Sequence, residues 1–235
     1  MPSFHPSLPT ARPLAIAHRA GNSLDLARRA LAAGADMLET DIWRFHERLE
    51  IRHDERVGPL PVLRNGWKVK PSWTKRLHLQ DLLEKLPIEA RIFLDLKGEA
   101  AELGEHVVEE IERVQPERQI ILCGRTWPQL DAVADHPRVT CLYSVGTPDE
   151  LAGIWGRLEK MPLPALSLNK DLATPELMRR LNEMGTTVIC WTVNDPDEAQ
   201  RLFARGVDGF TSDNLDLVAR IARHRAAAFT ATPAP

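Results

Sequence analysis

Short apolar segments alternate with amphipathic helical segments along almost the entire chain, and this alternation constrains the fold more than any other feature of the sequence. A repeated succession of strand, helix and strand is typical of parallel strands joined by crossover helices. The sequence therefore predicts an α/β protein with a largely parallel sheet. The predicted strands are Leu14–His18, Met37–Trp43, Leu49–His53, Ile92–Lys97, Gln119–Cys123, Val139–Val145, Ala165–Asn169, Thr187–Val193 and Gly209–Ser212.

The helical segments begin and end at recognisable signals. Thr147, Thr174 and Asp195 are each followed by proline. The side chain of the first residue can cap the N-terminus of a helix, and proline is well suited to the first helical position. Gly185 and Gly206 lead directly into the next strand, and glycine is a good helix stop. The predicted helices are Ser23–Ala33, Glu99–Val114, Pro148–Lys160, Pro175–Met184, Pro196–Arg205 and Asn214–Arg225.

One short connection decides how the strands are arranged. Only five residues separate Trp43 from Leu49, whereas a parallel crossover needs about a dozen or more. The segment Leu49–His53 must therefore return antiparallel to its predecessor as a hairpin arm. Eight strands remain, which predicts a closed (β/α)8 TIM barrel. An open, doubly wound sheet is the alternative, and the absence of a glycine-rich loop after the first strand argues against it.

The segment from Glu55 to His78 has no clear periodicity and is predicted to pass over the barrel mouth. Part of it carries five cations and two tryptophans but no acidic residue. Two interpretations stay open: a lid that attracts an anionic substrate, and a solvated basic loop anchored by its indoles. The residues concerned are Arg64, Trp67, Lys68, Lys70, Trp73, Lys75 and Arg76.

The length and the charge of the chain limit the classes of protein to which it can belong. A chain of 235 residues with 30 basic and 33 acidic side chains suits one barrel domain and is too evenly charged to indicate binding to nucleic acid or to a membrane surface. We expect one domain at 14–225 with flexible tails at 1–13 and 226–235. No apolar run approaches the ~20 residues of a membrane helix, no signal peptide is apparent, and the three cysteines are far apart. We therefore expect no membrane insertion, buried free thiols and a cytoplasmic location.

Candidate catalytic and ligand-binding residues lie at the carboxyl ends of the predicted strands, where the active site of a barrel enzyme is found. Glu39 and Asp41 are two residues apart on one strand and share a face, as do Asp95 and Lys97. Three carboxylates inside a barrel need a partner or a cation, which predicts a divalent-cation site with oxygen ligands. Internal salt bridges with Arg19 and Lys97 are the alternative. Other strand ends carry His18-Arg19, His53-Asp54, Trp191, Asn194 and Ser212-Asp213.

Five segments, in chain order, resemble the glycerophosphodiester phosphodiesterase family: IAHRAGNSLDLARRALAAGADMLETDIW, RLEIRHD, FLDLKG, VICWTVND and GVDGFTSDN. They correspond to that family's His-Arg-Gly turn, Glu-x-Asp strand, His-Asp pair, Glu-x-Lys strand, Trp-containing strand and Gly-(Val/Ile)-Asp-Gly-x-x-x-Asp ending. The resemblance runs from about Leu14 to Leu217. It implies a (β/α)8 barrel that uses one divalent cation, calcium or magnesium, to hydrolyse glycerophosphodiesters to an alcohol and glycerol 3-phosphate.

The resemblance also assigns roles to residues of this chain. It implies that the substrate's own neighbouring hydroxyl attacks the phosphorus and that water then opens the cyclic phosphate. Asp95 stands where the family usually has glutamate. By motif, the metal ligands are Glu39, Asp41 and Asp95, the acid–base pair is His18 and His53, the phosphate-binding residues are Arg19 and Lys97, and the aromatic wall against glycerol is Trp191.

The chain departs from the family's pattern after the first strand. Ala20 replaces the glycine of the His-Arg-Gly turn, Gly21 stands in place of an acidic residue, and ERVGPLP replaces the usual Arg-Thr-Thr. The start of the motif is also similar to the sphingomyelinase D-like phospholipases. An enzyme of lysophospholipase D or sphingomyelinase D type that releases a cyclic phosphate therefore stays open, as does a non-catalytic barrel that binds phosphodiesters.

A lyase that uses Lys97 as a Schiff base is disfavoured, because Asp95 shares the face of that lysine. The expected partner is a small-molecule phosphodiester, and the protein is expected to be a monomer or a homodimer.

Overall fold

Eight parallel strands form a closed barrel in the computed structural model, which describes residues 8–9, 11–57, 62–65, 67–71, 76–159 and 165–229. In chain order the strands are β1 (Leu14–Ala17), β2 (Met37–Phe45), β3 (Arg48–Ile51), β4 (Glu55–Arg56), β5 (Val62–Asn65), β6 (Lys68–Pro71), β7 (Leu77–His78), β8 (Ile92–Lys97), β9 (Ile120–Gly124), β10 (Val139–Val145), β11 (Ala165–Asn169), β12 (Thr187–Trp191) and β13 (Gly209–Ser212). The barrel order is β2-β8-β9-β10-β11-β12-β13-β1, and β1 pairs with β2 to close it. The predicted TIM barrel is confirmed. The alternative of an open sheet is wrong, because the pairing of β1 with β2 leaves none of the eight parallel strands at an edge.

Helices pack around the barrel and begin largely where the capping signals predict. In chain order they are α1 (Leu24–Ala32), α2 (Leu79–Lys85), α3 (Leu103–Val114), α4 (Trp127–Asp131), α5 (Pro148–Leu158), α6 (Pro175–Glu183), α7 (Pro196–Ala204) and α8 (Leu215–His224). The side chains of Thr147, Thr174 and Asp195 each accept a hydrogen bond from the first turn of their helix. The prediction that α3 begins at Glu99 is wrong, because a turn that bonds the Leu103 N–H to the carbonyl of Ala100 precedes it.

The predicted hairpin arm is confirmed. β3 runs antiparallel to β2, with Ile51 opposite Ile42, and β7 extends the sheet on its other side. After this hairpin, β4, β5 and β6 form a separate three-stranded antiparallel sheet. The sequence did not predict this small sheet, because its strands are two to four residues long and carry charges instead of an apolar alternation.

Alternate strand positions divide the apolar side chains into an inner and an outer layer. In β8, Phe93 belongs to the cluster inside the barrel, whereas Leu94 and Leu96 belong to the larger cluster that includes the helices. Asp95 and Lys97 share the phase of Phe93. The predicted orientation of this strand is therefore confirmed, and it directs both charged side chains toward the barrel axis.

The described parts of the two predicted tails contact the barrel. Leu8 is buried in the inner apolar cluster, and Phe229 is buried against Phe203 and Phe210. Residues 1–7, 10 and 230–235 of those tails lie outside the described residues, as does Lys160, the predicted end of α5. None of the described helices is both long enough and apolar enough to span a membrane.

Candidate active site

A cavity of about 410 Å³ opens at the carboxyl ends of the barrel strands. Seven of the eight residues singled out from the sequence line it, and the eighth, Asp41, lies in contact with them. The cavity residues used below are His18, Arg19, Glu39, His53, Asp95, Lys97, Arg125 and Trp191. The strand ends therefore bring the predicted site residues together.

Three carboxylates meet on two adjacent strands. Glu39 and Asp41 lie on β2, and Asp95 lies directly opposite Asp41 on β8. One oxygen of each of these three residues lies within 4.8 Å of the other two. Glu39 and Asp41 are almost completely buried. The spacing of two residues and the parallel register together produce this acidic cluster.

Lys97 is the cation closest to the acidic cluster. Its Nζ lies 3.0 Å from Asp41 Oδ1 and donates a hydrogen bond to Asp95 Oδ2. Burial alone would lower the pKa of Lys97, but the carboxylates of Asp95 and Asp41 outweigh it and raise that pKa above its usual value. The lysine is therefore protonated at neutral pH, which argues against a Schiff-base role.

Asn22 orients Asp41, and sequence reasoning did not select it. Its side-chain amide donates to Asp41 Oδ2 at 2.7 Å, and its carbonyl oxygen accepts from the Asp41 N–H at 2.9 Å. Burial opposes ionisation of Asp41, but the contacts from His53, Lys97 and Asn22 outweigh it and hold the pKa of Asp41 well below its usual value. This carboxylate is therefore ionised and fixed in direction.

Glu39 is the least compensated carboxylate of the cluster. It accepts a hydrogen bond from the backbone N–H of Arg19 at 2.6 Å. Arg19 has a left-handed backbone conformation, with φ of 52°, which a non-glycine residue rarely adopts. Burial raises the pKa of Glu39 well above its usual value, and Asp41 and Asp95 raise it further. A cation beside Glu39 would favour its ionised form.

His18 is held at one side of Glu39 by Asp213, a residue that the sequence placed at a strand end without assigning it a role. Nδ1 of His18 lies 2.7 Å from Asp213 Oδ1, and its Nε2 lies 3.9 Å from Glu39 Oε2. Asn194 fixes Asp213 in turn, because its Nδ2 donates to Asp213 Oδ2 at 3.2 Å and its Oδ1 accepts from the Asp213 N–H at 2.8 Å. Burial lowers the pKa of His18, and Asp213 opposes that effect.

His53 contacts the acidic cluster at Asp41, whereas His18 lies beside Glu39. Its Nδ1 is 3.3 Å from Asp41 Oδ2, and its Nε2 is 3.0 Å from Arg19 Nη2. Arg19 also approaches Asp41, with Nε 4.0 Å from Oδ2. The two histidines therefore contact different carboxylates of the same cluster and both face the cavity.

The opposite wall of the cavity carries Trp191 on β12. Three barrel strands separate β12 from β8 in either direction around the barrel, so Trp191 faces the strand of Asp95 and Lys97. Its indole Nε1 is buried and has no hydrogen-bond partner among the described residues. The guanidinium of Arg125, which follows β9, lies 5.4 Å from the centre of the indole ring. Sequence reasoning did not select Arg125.

Gly21 marks the departure from the family's pattern, and the structure gives a reason for it. A Cβ atom at this position would lie 1.8 Å from Oγ1 of Thr40. Thr40 is completely buried on β2. No larger residue fits at position 21 while Thr40 keeps this position.

The predicted lid is described only in part. Trp67 is fully exposed, so it anchors nothing among the described residues. Arg76 donates a hydrogen bond to Glu50 Oε1 at 2.5 Å. Trp73 and Lys75 lie outside the described residues. A role of this segment in substrate binding stays a prediction.

The model of the Glycerophosphoryl diester phosphodiesterase family matches residues 79–217. A protein of Mycobacterium tuberculosis named "Probable glycerophosphodiester phosphodiesterase 2" is 25% identical over 238 residues, with coverage of 87% of this chain and 89% of the relative.

Two solved structures share the fold. A glycerophosphodiester phosphodiesterase from Thermotoga maritima has a TM-score of 0.69 and 21% identity, with coverage of 88% of this chain and 98% of its own. A phosphodiesterase from Oleispira antarctica, solved with the product sn-glycerol-3-phosphate, has a TM-score of 0.69 and 20% identity, with coverage of 90% and 97%.

Proposed function

The chain belongs to the glycerophosphoryl diester phosphodiesterase family, and on that premise we propose that it hydrolyses glycerophosphodiesters to an alcohol and glycerol 3-phosphate with one divalent cation and two histidines. One observation carries the proposal. The acidic cluster of Glu39, Asp41 and Asp95 lies within 4.8 Å at the edge of a cavity that His18 and His53 also line. A non-catalytic barrel would not need to keep this whole set together.

Glu39, Asp41 and Asp95 are the residues that hold the cation. Two oxygens bound to the same ion lie at most about 4.6–5.2 Å apart for Ca²⁺ and about 4.0–4.2 Å apart for Mg²⁺, twice the metal–oxygen distance. The three oxygens of the cluster all lie within 4.8 Å of one another, which is the range that one bound divalent cation of this kind spans. One lysine cannot neutralise three carboxylates, so the donor set suits a hard divalent cation. When bound, such a cation neutralises charge on the phosphodiester and acidifies a neighbouring hydroxyl.

Arg19 and Lys97 bind the phosphate oxygens in this proposal. A guanidinium offers two parallel donors to a phosphate, and an ammonium adds a point charge. Both side chains line the cavity beside the acidic cluster. A substrate phosphate bound there lies between the two histidines.

His18 and His53 move the protons. One histidine takes the proton of the attacking hydroxyl and the other gives a proton to the leaving alcohol, and imidazole suits both tasks near neutral pH. The hydrogen bond between Asp213 and Nδ1 of His18 leaves Nε2 of that ring to hold or release the proton. Trp191 supports the glycerol from the opposite wall. The attacking group is the substrate's own neighbouring hydroxyl, and water then opens the cyclic phosphate.

Removal of the cation tests this function. Dialysis against a chelator should abolish hydrolysis of a panel of glycerophosphodiesters, and either Mg²⁺ or Ca²⁺ should restore it. Asp41→Asn should weaken divalent-ion binding in isothermal titration by at least about tenfold, because a neutral amide is a poorer ligand for a hard cation. Asp25→Asn, which alters an exposed carboxylate of α1, is the matched control and should bind the ion normally. Full activity in chelator would contradict the metal assignment.

A further inference from the structure

Arg125 is a cation in the cavity that the proposed reaction does not use. It follows β9 and lines the same cavity as the acidic cluster, and its side chain is 52% exposed. Its strand β9 pairs with β8, the strand of Asp95 and Lys97, but its guanidinium turns toward Trp191 and lies over the indole ring. Arg19 and Lys97 approach the carboxylates of the acidic cluster, whereas Arg125 approaches Glu150 instead, so we assign the phosphate to Arg19 and Lys97 and not to Arg125.

The side chain of Arg125 is held over the cavity by two neighbours. A Cβ atom on Gly146 would lie 1.7 Å from Arg125 Nη2, so the guanidinium occupies space that only glycine leaves free. Arg125 Nε lies 3.9 Å from Glu150 Oε1. The other oxygen of Glu150 accepts from the N–H groups of Gly146 and Thr147, which fixes this carboxylate at the start of α5.

The donors of Arg125 are largely unused. Within the part of the chain that the structure describes, its guanidinium makes no hydrogen bond, and its one ion pair is the 3.9 Å contact with Glu150. A guanidinium carries five N–H donors in a planar fork that matches a carboxylate or a phosphate. A cation poised over an aromatic wall with free donors is suited to bind an anion.

We propose that Arg125 is a specificity-determining residue that binds an acidic group, a carboxylate or a phosphate, on the alcohol portion of the substrate. The inference rests on the proposed function and narrows its substrate class. The phosphodiester lies beside the acidic cluster, and the glycerol that Trp191 supports carries no charge. An anion that pairs with Arg125, over the same indole ring, therefore belongs to the alcohol, which extends along this wall beside the glycerol. Phosphodiesters with an acidic alcohol are therefore the preferred substrates.

A set of matched substrates tests the proposal. The glycerol 3-phosphate diesters of 4-hydroxybutyrate and of 4-hydroxybutyramide are nearly equal in size and shape, but only the first carries a charge on its alcohol portion. The diester of 4-hydroxybutyl phosphate supplies the second kind of anion. We expect kcat/KM to be about tenfold or more higher for the carboxylate or the phosphate ester than for the amide, mainly through a lower KM. The better of the two acidic esters identifies which anion Arg125 binds.

Variants at this position separate recognition from folding. Arg125→Gln should bring the ratio of acidic to amide kcat/KM close to one, and Arg125→Lys should keep part of it, because the charge remains without the fork. Arg179→Gln removes the same charge from the exposed surface of α6 and should leave the ratio unchanged. Thermal unfolding of each variant checks that the fold is intact.

The outcomes distinguish this inference from the function on which it rests. If the wild-type protein hydrolyses the diesters but shows no preference for either acidic ester, or if Arg125→Gln keeps the preference, the role of Arg125 is wrong and the proposed function stands. If no diester is hydrolysed in the presence of Mg²⁺ or Ca²⁺, the proposed function is wrong and the inference with it.

Discussion

A methyl group added at Gly21 is a sharp test of how tightly the site is built. Gly21 belongs to the 3-10 turn Ala20–Asn22 that follows β1, and it lies directly against Thr40. In Gly21→Ala the new Cβ would lie 1.8 Å from Thr40 Oγ1 and 2.9 Å from Thr40 Cβ. Rotation of the Thr40 side chain relieves the first contact but not the second. The backbone of the turn or of β2 must therefore move.

The expected cost follows from this forced movement. Overpacking of a filled core typically costs about 1–3 kcal/mol. In a domain of 150–250 residues each kcal/mol lowers Tm by about 2–4 °C, so Gly21→Ala should unfold roughly 2–12 °C below the wild-type protein. Thr40 lies between Glu39 and Asp41, and Asn22 follows the mutated position. We therefore also expect divalent-ion affinity to fall about tenfold or more, the usual effect of disturbing residues that orient ligands.

The assay is thermal unfolding followed by circular dichroism, together with isothermal titration of Mg²⁺ and Ca²⁺. Gly156→Ala is the matched control, because nothing lies within 4 Å of its new Cβ and alanine within a helix stabilises by about 0.5–1 kcal/mol. In a double-mutant cycle, Gly21→Ala should cost clearly less in a Thr40→Ala background, where the hydroxyl is gone. An unchanged Tm and ion affinity in Gly21→Ala, or an equal cost in both backgrounds, would refute the reasoning.

Three further predictions concern the chemistry. His18→Ala and His53→Ala should each lower kcat by about 10²–10⁴-fold with the fold intact. A substrate with a p-nitrophenyl leaving group should partly rescue whichever variant lost the acid. A variant whose loss of kcat is equal for the p-nitrophenyl ester and for an alkyl ester did not lose the acid. Asp213→Asn should lower kcat without weakening ion binding in isothermal titration, and a parallel loss of ion affinity would contradict a positioning role toward His18. A substrate with a methylated neighbouring hydroxyl should bind but react slower by several orders of magnitude, whereas equal rates would mean that water attacks directly.

The barrel could be predicted because its signals are local. Apolar runs, capping residues before proline and helix-ending glycines occur within a few residues of each other, and a connection of five residues excludes a parallel crossover. The features that escaped prediction lack such signals. α4 spans only Trp127–Asp131, and the small sheet has strands that are too short and too charged to alternate.

The acidic cluster could be predicted for a similar reason, since a spacing of two residues on one strand fixes a shared face. Asn22, Asp213 and Arg125 could not be selected in this way. Their roles depend on distances between side chains from different strand ends, such as the contact of Asn22 with Asp41 or of Arg125 with Trp191. A sequence shows that these residues lie near the barrel mouth, but not which of their neighbours they touch.

The seam between β1 and β13 has a consequence for the order in which the protein assembles. This seam pairs Leu14 with Gly209, and the hydrogen bond from His18 to Asp213 crosses it between residues 195 positions apart. Contacts of such large sequence separation carry the greatest loop-closure entropy and slow folding. The acidic cluster instead draws on residues of the first hundred positions, between Glu39 and Asp95. A nascent chain can therefore gather its carboxylates early, but it orients His18 only once the last strand has been synthesised and has closed the barrel.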